Sequence, residues 1–320
     1  MRSTPPPDTK LRFAAAMQLL CVVCVGCGGS APPPQSAADR RNAAAAEASK
    51  CVPDDSAFAE GSAALSRGDA QAALQRLERG LSALEACRPV DTVRLAATLY
   101  ALGQAHTALR QLDRAQDRFE SALKLNRKLY GPVHDYTIET QEMIGVVADY
   151  AGHYGDAERA FRNVISALSR RFEENHPDML RARTNLAINL KLQKRYAEAE
   201  RLLDAVVPEL RQVKLPNGLG HALNALGTIY HHRNDTSRAR TAFAESVAAL
   251  SQSYGAEHPD VATTLFNLCG LEIDEKRYDA AEAVCARSRA IRERAYPADH
   301  PQVQSVVARH EEARRAITPR

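Results

Sequence analysis

Four histidines recur along the chain at a regular spacing, which could indicate a row of metal ligands. They lie 42, 82 and 42 residues apart, at His134, His176, His258 and His300. Proline follows three of them directly, at Pro177, Pro259 and Pro301. Proline is favoured at the first position of a helix, where its missing N–H costs no hydrogen bond. The pattern therefore predicts four helix starts, which are too far apart along the chain to share one ion.

The densest histidine cluster is His221 with the adjacent pair His231 and His232. Adjacent residues of a helix point about 100° apart, so the pair cannot bind one ion side by side. No cysteine or carboxylate completes a zinc-binding spacing. No phosphate-binding loop, metalloprotease helix or nucleophile elbow is present either. The sequence predicts no catalytic residue, no metal ligand and no cofactor.

The seven cysteines fall into two sets. Three lie near the N-terminus, at Cys21, Cys24 and Cys27. The other four lie in the body of the chain, at Cys51, Cys87, Cys269 and Cys285. An even number of body cysteines favours two disulfides and an oxidising compartment.

The 320 residues are 45% hydrophobic and 25% charged, which is enough apolar material for a folded core. Only 5% are aromatic, and the abundance of alanine favours close helix packing over an all-β fold. The net charge of +3 includes no basic block that would indicate a nucleic-acid partner.

Internal similarity recurs at a fixed interval. A small residue, called here the anchor, recurs every 42 residues, with one interval of 40. The anchors are Gly61, Gly103, Gly145, Ala187, Gly227 and Cys269. Twelve residues after each anchor stands an alanine: Ala73, Ala115, Ala157, Ala199, Ala239 and Ala281. Sixteen residues after the anchors stand Leu77, Phe119, Phe161, Leu203, Phe243 and Cys285.

This spacing predicts two antiparallel helices in each repeat. The two small residues let the helices approach closely, and the large residue four positions beyond the alanine fills the groove on the same face. Turn residues at Gly68, Gly152 and Asn234 reverse the chain between the helices. One hairpin cannot bury its whole apolar face, so neighbouring hairpins must stack.

Segments such as "YALGQAHTALRQLDRAQDRFESAL" resemble the tetratricopeptide repeat, with its Leu-Gly…Tyr…Ala…Phe pattern. The 42-residue period and junctions such as "YGAEHPDVATTLFNL" resemble the longer repeats of kinesin light chains. The resemblance covers about residues 54–309 and implies an all-α solenoid that forms a superhelix. Its six expected repeats span about 53–90, 95–132, 136–173, 178–214, 219–254 and 260–296, followed by a capping helix and tail at 301–320.

The repeat register also predicts two disulfides. Facing residues of an antiparallel hairpin have positions that add to a constant. With the anchor counted as position 8, Cys269 and Cys285 add to 32, and so do Cys51 and Cys87. Each pair can therefore bridge one terminal hairpin. Four small buried thiols that fill gaps in the core are the alternative.

The resemblance implies a binding groove lined by the first helix of each repeat, helix A, with the second helix, helix B, outside. The expected groove residues are Tyr100, Gln104, Glu142, Asp149, Tyr150, Asn185, Lys191, Asn224, His231, Phe266 and Asn267. The amides can pair with the backbone of a bound segment whatever its side chains, and the aromatic residues can serve as apolar anchors. We expect Asn185 and Asn224 to face solvent. Glu142 and Asp149 are expected to make one part of this face acidic. Polar residues that are merely solvated on an exposed helix face are the alternative.

The N-terminal sequence predicts a targeting signal. Basic residues precede the uncharged run "FAAAMQLLCVVCV", whose 13 residues reach roughly 20 Å as a helix, too short to span a membrane. This predicts a secretory signal peptide at 1–26. Gly26-Cys27 resembles a bacterial lipobox, although Cys24 stands where that family usually has Leu. Cys27 is therefore the predicted lipidation site, with a Pro/Ala-rich tether at 27–52; a soluble secreted protein or an uncleaved anchor are the alternatives.

Together these features predict a non-catalytic scaffold, exported to the periplasm or outer envelope, that binds another protein or a peptide segment. Its membrane contact is through the lipid anchor only, and neither nucleic acid nor a small-molecule substrate is expected. An accessory lipoprotein that organises an envelope-polymer or secretion complex is the alternative. A hydrolase is the least favoured class.

The lipobox resemblance predicts that Cys27→Ser releases the mature protein from membranes or stalls its processing. Each buried CH₂ of an acyl chain contributes about 0.8 kcal/mol to anchoring, so removal of the acyl chains abolishes detergent partitioning. Detergent phase separation and the intact mass of the mature N-terminus measure this. An unmodified mature N-terminus at a residue other than Cys27 would contradict it.

Overall fold

The computed structural model describes residues 55–87 and 90–317, which form thirteen α-helices and no strand. The helices are α1 (Asp55–Ser66), α2 (Ala70–Ala86), α3 (Thr92–Ala108), α4 (Leu112–Tyr130), α5 (Asp135–Tyr150), α6 (Tyr154–Leu168), α7 (Pro177–Leu192), α8 (Tyr196–Gln212), α9 (Pro216–His232), α10 (Thr236–Tyr254), α11 (Pro259–Asp274), α12 (Tyr278–Ala295) and α13 (Pro301–Ile317). The predicted all-α repeat fold is confirmed. None of the described helices is long and apolar enough to cross a membrane.

The described helices form two compact units, an N-terminal unit of α1–α5 and a C-terminal unit of α6–α13. Within each unit, every helix packs against the next one in the chain. Helices two apart also touch, as α1 and α3 do in the N-terminal unit and α7, α9, α11 and α13 do in the C-terminal unit. Each unit is therefore a stack of helices in chain order, as a repeat array requires.

The anchors hold paired helices at close approach. A Cβ atom added to Gly103 would lie 2.7 Å from the ring of Phe119, and one added to Gly227 would lie 2.6 Å from that of Phe243. Both rings are fully buried, and so is every alanine twelve residues after an anchor. The spacing read from the sequence therefore marks the positions where a side chain of one helix fills the space beside a small residue of its partner.

The chain reverses at the same point in all six repeats. Seven residues after each anchor, one residue has a positive φ, between 58° and 80°: Gly68, Arg110, Gly152, Lys194, Asn234 and Lys276. The next N–H donates to the carbonyl five residues earlier, as in the bond from Asp235 N to Tyr230 O at 2.9 Å. This closes the end of the preceding helix. The turns predicted at Gly68, Gly152 and Asn234 are confirmed.

One of the two predicted disulfides is present. Cys269 of α11 and Cys285 of α12 are bonded, with their Cα atoms 5.4 Å apart and both residues fully buried. The bond occupies the place that a glycine or alanine anchor and a large side chain fill in other repeats. Cys51 lies outside the described residues, so the pairing of Cys51 with Cys87 stays a prediction. Cys27 and the segments 1–26 and 27–52 also lie outside them.

Ion pairs connect successive repeats of the C-terminal unit. Thirteen residues after an anchor, near the start of helix B, lies a charged residue. It forms an ion pair with a residue near the turn between the two helices of the following repeat. Glu158 pairs with Arg195 at 2.7 Å, and Arg240 pairs with the buried Glu272 at 2.7 Å. Glu200 and Arg233 make the corresponding pair between those two. These contacts fix the register of one hairpin on the next.

The close approach at the anchors predicts that Gly227→Ala destabilises the protein. Alanine is favoured over glycine in a helix by about 1 kcal/mol, but the new Cβ would overlap the buried Phe243 ring, and such overpacking costs about 1–3 kcal/mol. Urea unfolding followed by circular dichroism measures the difference. Gly155→Ala in α6 is the matched control, because its Cβ would meet nothing within 4 Å and stability should be kept or raised. Equal stability of the two variants would contradict the packing argument.

Candidate functional site

The predicted groove residues lie on the A helices. Tyr100 and Gln104 are on α3, and Glu142, Asp149 and Tyr150 are on α5, all in the N-terminal unit. Asn185 and Lys191 are on α7, Asn224 and His231 on α9, and Phe266 and Asn267 on α11, all in the C-terminal unit.

In the N-terminal unit, the two tyrosines already have partners within the chain. The Tyr100 hydroxyl donates to Glu139 Oε1 at 2.8 Å, and its ring meets Phe119 edge-on. The guanidinium of Arg110 lies 5.0 Å above the Tyr150 ring. Gln104 is partly exposed. The tyrosines are therefore fixed in position before any ligand binds.

The acidic residues of the same unit lie on the predicted helix, but they are buried rather than exposed. Glu142 is 3% exposed and Asp149 is 6% exposed. The expectation that they present acidic charge on an open face is wrong, because helix periodicity assigns a face but not the neighbours that cover it. Charge reversal at either position would place an opposite charge in a buried site and would disturb folding as well as binding.

In the C-terminal unit, polar side chains link the A helices of successive repeats. Asn267 Nδ2 donates to Asn224 Oδ1 at 2.9 Å. His231 Nε2 lies 2.8 Å from Asp274 Oδ2. Both pairs join α9 to α11 and place polar atoms along one side of the stack. Asn224, Asn267 and His231 are only partly exposed, so these contacts hold them in defined orientations.

Asn185 and Phe266 differ from their predicted roles. Asn185 is 2% exposed, so the expectation that it faces solvent is wrong, and Asn224 is half-buried. Two guanidinium groups lie over the Phe266 ring, that of Arg309 at 4.0 Å and that of Arg292 at 4.5 Å. The ring is therefore already covered by residues of the same chain. Lys191 remains partly exposed.

The four regularly spaced histidines lie at helix starts, as predicted, and the structure shows that each of them also caps its helix. In each, Nδ1 accepts a hydrogen bond from the backbone N–H two residues later, at 3.2–3.3 Å. Each ring also stacks on an aromatic residue four positions earlier, at centroid distances of 3.8–4.6 Å. Those aromatic residues are Tyr130, Phe172, Tyr254 and Tyr296. The recurring four-residue spacing from Tyr or Phe to His is a signal for this stacked cap that is present in the sequence. Among the described residues, no three His, Cys, Asp or Glu side chains come together to hold a metal.

A buried titratable cluster in the C-terminal unit was also missed. His221 Nε2 lies 3.7 Å from Asp260 Oδ2, and His258 Nδ1 lies 3.6 Å from the same oxygen. Burial lowers the pKa of His221 to about 4 and raises the pKa of Asp260 to about 7. Burial also raises the pKa of the adjacent Tyr254 to about 12. The cluster joins α9, α10 and α11, and its burial favours the uncharged form of each of these groups.

Two family profiles with the same description match this chain. A family profile described as "Tetratricopeptide repeat" matches residues 94–169. A second profile with the same description matches residues 179–212, 219–260 and 261–302. Together they cover more than half of the chain.

A curated relative is the mitochondrial tetratricopeptide repeat protein 19 of Rattus norvegicus, 32% identical over 93 residues. The match covers 29% of this chain and 25% of the relative, so the chain spans about a quarter of that protein. Among solved structures, NprR in complex with its cognate peptide NprX has a TM-score of 0.62 at 11% identity, over 86% of this chain and 78% of that one. BtubC (BKLC) from P. vanneervenii has a TM-score of 0.51 at 18% identity, over 78% and 95%. At these identities the structures show a shared fold.

The capping geometry predicts that the contribution of His258 to the free energy of unfolding falls at acidic pH. Its Nδ1 can accept only when unprotonated, and burial lowers its pKa below the ordinary 6.5. Stability from this cap is therefore complete above about pH 6.5 and is lost as the pH falls through the folded-state pKa. Asparagine caps without titrating, so between pH 7.5 and pH 5 the wild type should lose about 0.5–2 kcal/mol more than His258→Asn.

Urea unfolding at the two pH values measures this loss. The neighbouring His221 and Asp260 are present in both proteins, so the comparison reports the His258 cap together with the contact that His258 makes with Asp260. An equal loss in wild type and His258→Asn would show that the cap does not carry the effect.

Proposed function

This chain belongs to the tetratricopeptide-repeat family, and we propose that it is a non-catalytic scaffold that holds a peptide or protein segment against its A helices. The NprR structure that shares its fold was solved with a bound peptide. A Rap protein with the same fold was solved in complex with the competence and sporulation factor. These neighbours support a binding role for the fold, and the A helices of this chain supply the polar groups for it.

The observation that carries this proposal is the amide pair of Asn224 and Asn267. One hydrogen bond joins Asn267 Nδ2 to Asn224 Oδ1, and within residues 55–87 and 90–317 this leaves the Asn224 amide N–H groups and the Asn267 side-chain oxygen for a ligand. A polypeptide backbone offers one acceptor and one donor per residue, so it complements such a pair whatever its sequence. Because the two amides are already ordered, little rotamer entropy is lost on binding.

The proposed site of action is the bacterial cell envelope, periplasmic or outer, with Cys27 as the lipid anchor. The Cys269–Cys285 disulfide supports export, because such bonds persist in oxidising compartments and are rare in the cytosol. The short uncharged run at 13–25 and the Gly26-Cys27 junction supply the targeting signal. Repeat proteins have extended binding surfaces, and a lipid tether would place such a surface close to membrane partners.

The test removes both members of the amide pair at once. Replacing both partners of a hydrogen bond is nearly neutral for stability, so Asn224→Ala with Asn267→Ala should fold and melt like the wild type. The same variant should lose about tenfold or more of its capture of envelope proteins, because two contacts to the ligand backbone disappear. Quantitative mass spectrometry after crosslinking in intact envelopes measures the capture.

The control removes a pair from the B helices. Arg211 of α8 and Glu245 of α10 form an exposed ion pair at 2.6 Å, and the double alanine variant removes it while sparing the A helices. This variant should capture the same proteins as the wild type. Full capture by the amide variant together with loss of capture by the Arg211 and Glu245 variant would place binding on the outer surface and overturn the proposal.

A further inference from the structure

The sixth repeat has an arginine in the core at a position where the other five repeats have an uncharged side chain. Arg292 lies 23 residues after its anchor. The same position in the other repeats holds Leu84, Asn126, Leu168, Leu210 and Leu250. Each of these residues is buried, and Arg292 is only 2% exposed. A cation therefore occupies a position built for leucine in four of the six repeats.

The contacts of Arg292 do not neutralise its charge. Its Nη1 donates to the backbone oxygen of Gln302 in α13 at 3.0 Å, and its guanidinium lies 4.5 Å above the Phe266 ring. Its Nε is buried and has no hydrogen-bond partner among the described residues. Arg292 also forms no ion pair with any of the residues that the structure describes.

A second arginine shares the same ring. The Arg309 guanidinium lies 4.0 Å above Phe266, and its Nη1 donates to the Phe266 backbone oxygen at 3.2 Å. Gly270, one turn further along α11, makes room for it, since a Cβ there would lie 2.9 Å from Nη1. Asp274 and Glu312 act on Arg309 only from a distance, and Arg309 has no ion pair among the described residues.

Two like charges at one aromatic ring are costly without a counter-charge. Burial lowers the pKa of Arg292 to about 10 and also lowers that of Arg309, yet both remain protonated at neutral pH. Buried charges in proteins are normally paired, because an uncompensated ion loses its hydration without a matching attraction. One cation–π contact each and one carbonyl each compensate only part of this loss.

We propose that Arg292 and Arg309 form a site for one oxyanion, a carboxylate or a phosphate, where α11, α12 and α13 meet. The planar guanidinium offers parallel N–H groups that match the oxygens of such anions. Phe266 supports both guanidinium groups, and Arg309, which is partly exposed, gives the anion access from solvent. The site does not depend on occupancy of the amide pair, so it extends beyond the proposed function.

Thermal unfolding of the full mature chain in phosphate tests the proposal. Phosphate at well above its dissociation constant should raise the Tm by about 2–4 °C relative to sodium chloride at equal ionic strength. Arg292→Leu installs the residue that four other repeats use, so the variant should fold, and its Tm should not respond to phosphate. Arg309→Leu should weaken phosphate binding about tenfold or more in calorimetric titration.

The matched control is Arg315→Leu, which removes an exposed positive charge from α13 and should leave the phosphate response intact. A parallel titration with N-acetylglutamate amide distinguishes the source of the anion. A response to that compound indicates the acidic side chain of a bound polypeptide, whereas a response to phosphate alone indicates a free anion. If neither compound shifts the wild-type Tm more than that of Arg292→Leu, Arg292 is only a packing residue and the proposal fails.

Discussion

The structure depends on one steric constraint, the close approach of two antiparallel helices at a residue with a small side chain or none. Gly103 and Gly227 each leave space for a phenylalanine ring that is wholly buried. Glycine in a helix costs about 1 kcal/mol against alanine, and burial of the ring offsets this with about 1.5–3 kcal/mol. Because the contact recurs at one register, hairpins of nearly equal shape can stack in chain order within each unit, and this regularity places the A helices of that unit next to one another.

The contacts that recur were predictable from the sequence, whereas those made by single residues were not. The anchors, the buried alanines and the turns at Gly68, Gly152 and Asn234 followed from the period alone. The turns at Arg110, Lys194 and Lys276 have no compositional signal, because these residues adopt a left-handed conformation that their types do not favour. They can be found only by counting seven residues from the anchor.

The candidate site was predicted less well, for a related reason. Helix periodicity correctly assigned Asn224 and Asn267 to neighbouring A helices. It gave no information about what covers a face, so it treated the buried Asn185, Glu142 and Asp149 as open to solvent. Similarly, the side chains of Arg292 and Arg309 come from helices other than that of Phe266. Their meeting at one ring depends on tertiary packing that no local pattern records.

The sixth repeat departs from the packing rule in two linked ways. A disulfide between Cys269 and Cys285 replaces the contact between a small anchor and a large side chain, and a buried arginine stands where leucine is usual. A crosslink that closes a loop of this size stabilises a fold by about 3 kcal/mol, comparable with the cost of placing a partly compensated charge in a core. The covalent bond thus fixes α11 against α12 without help from the position that Arg292 occupies. That position then contributes less to holding the two helices together, so the sixth repeat can hold a charged group where the other repeats have Leu or, in the second repeat, the uncharged Asn126.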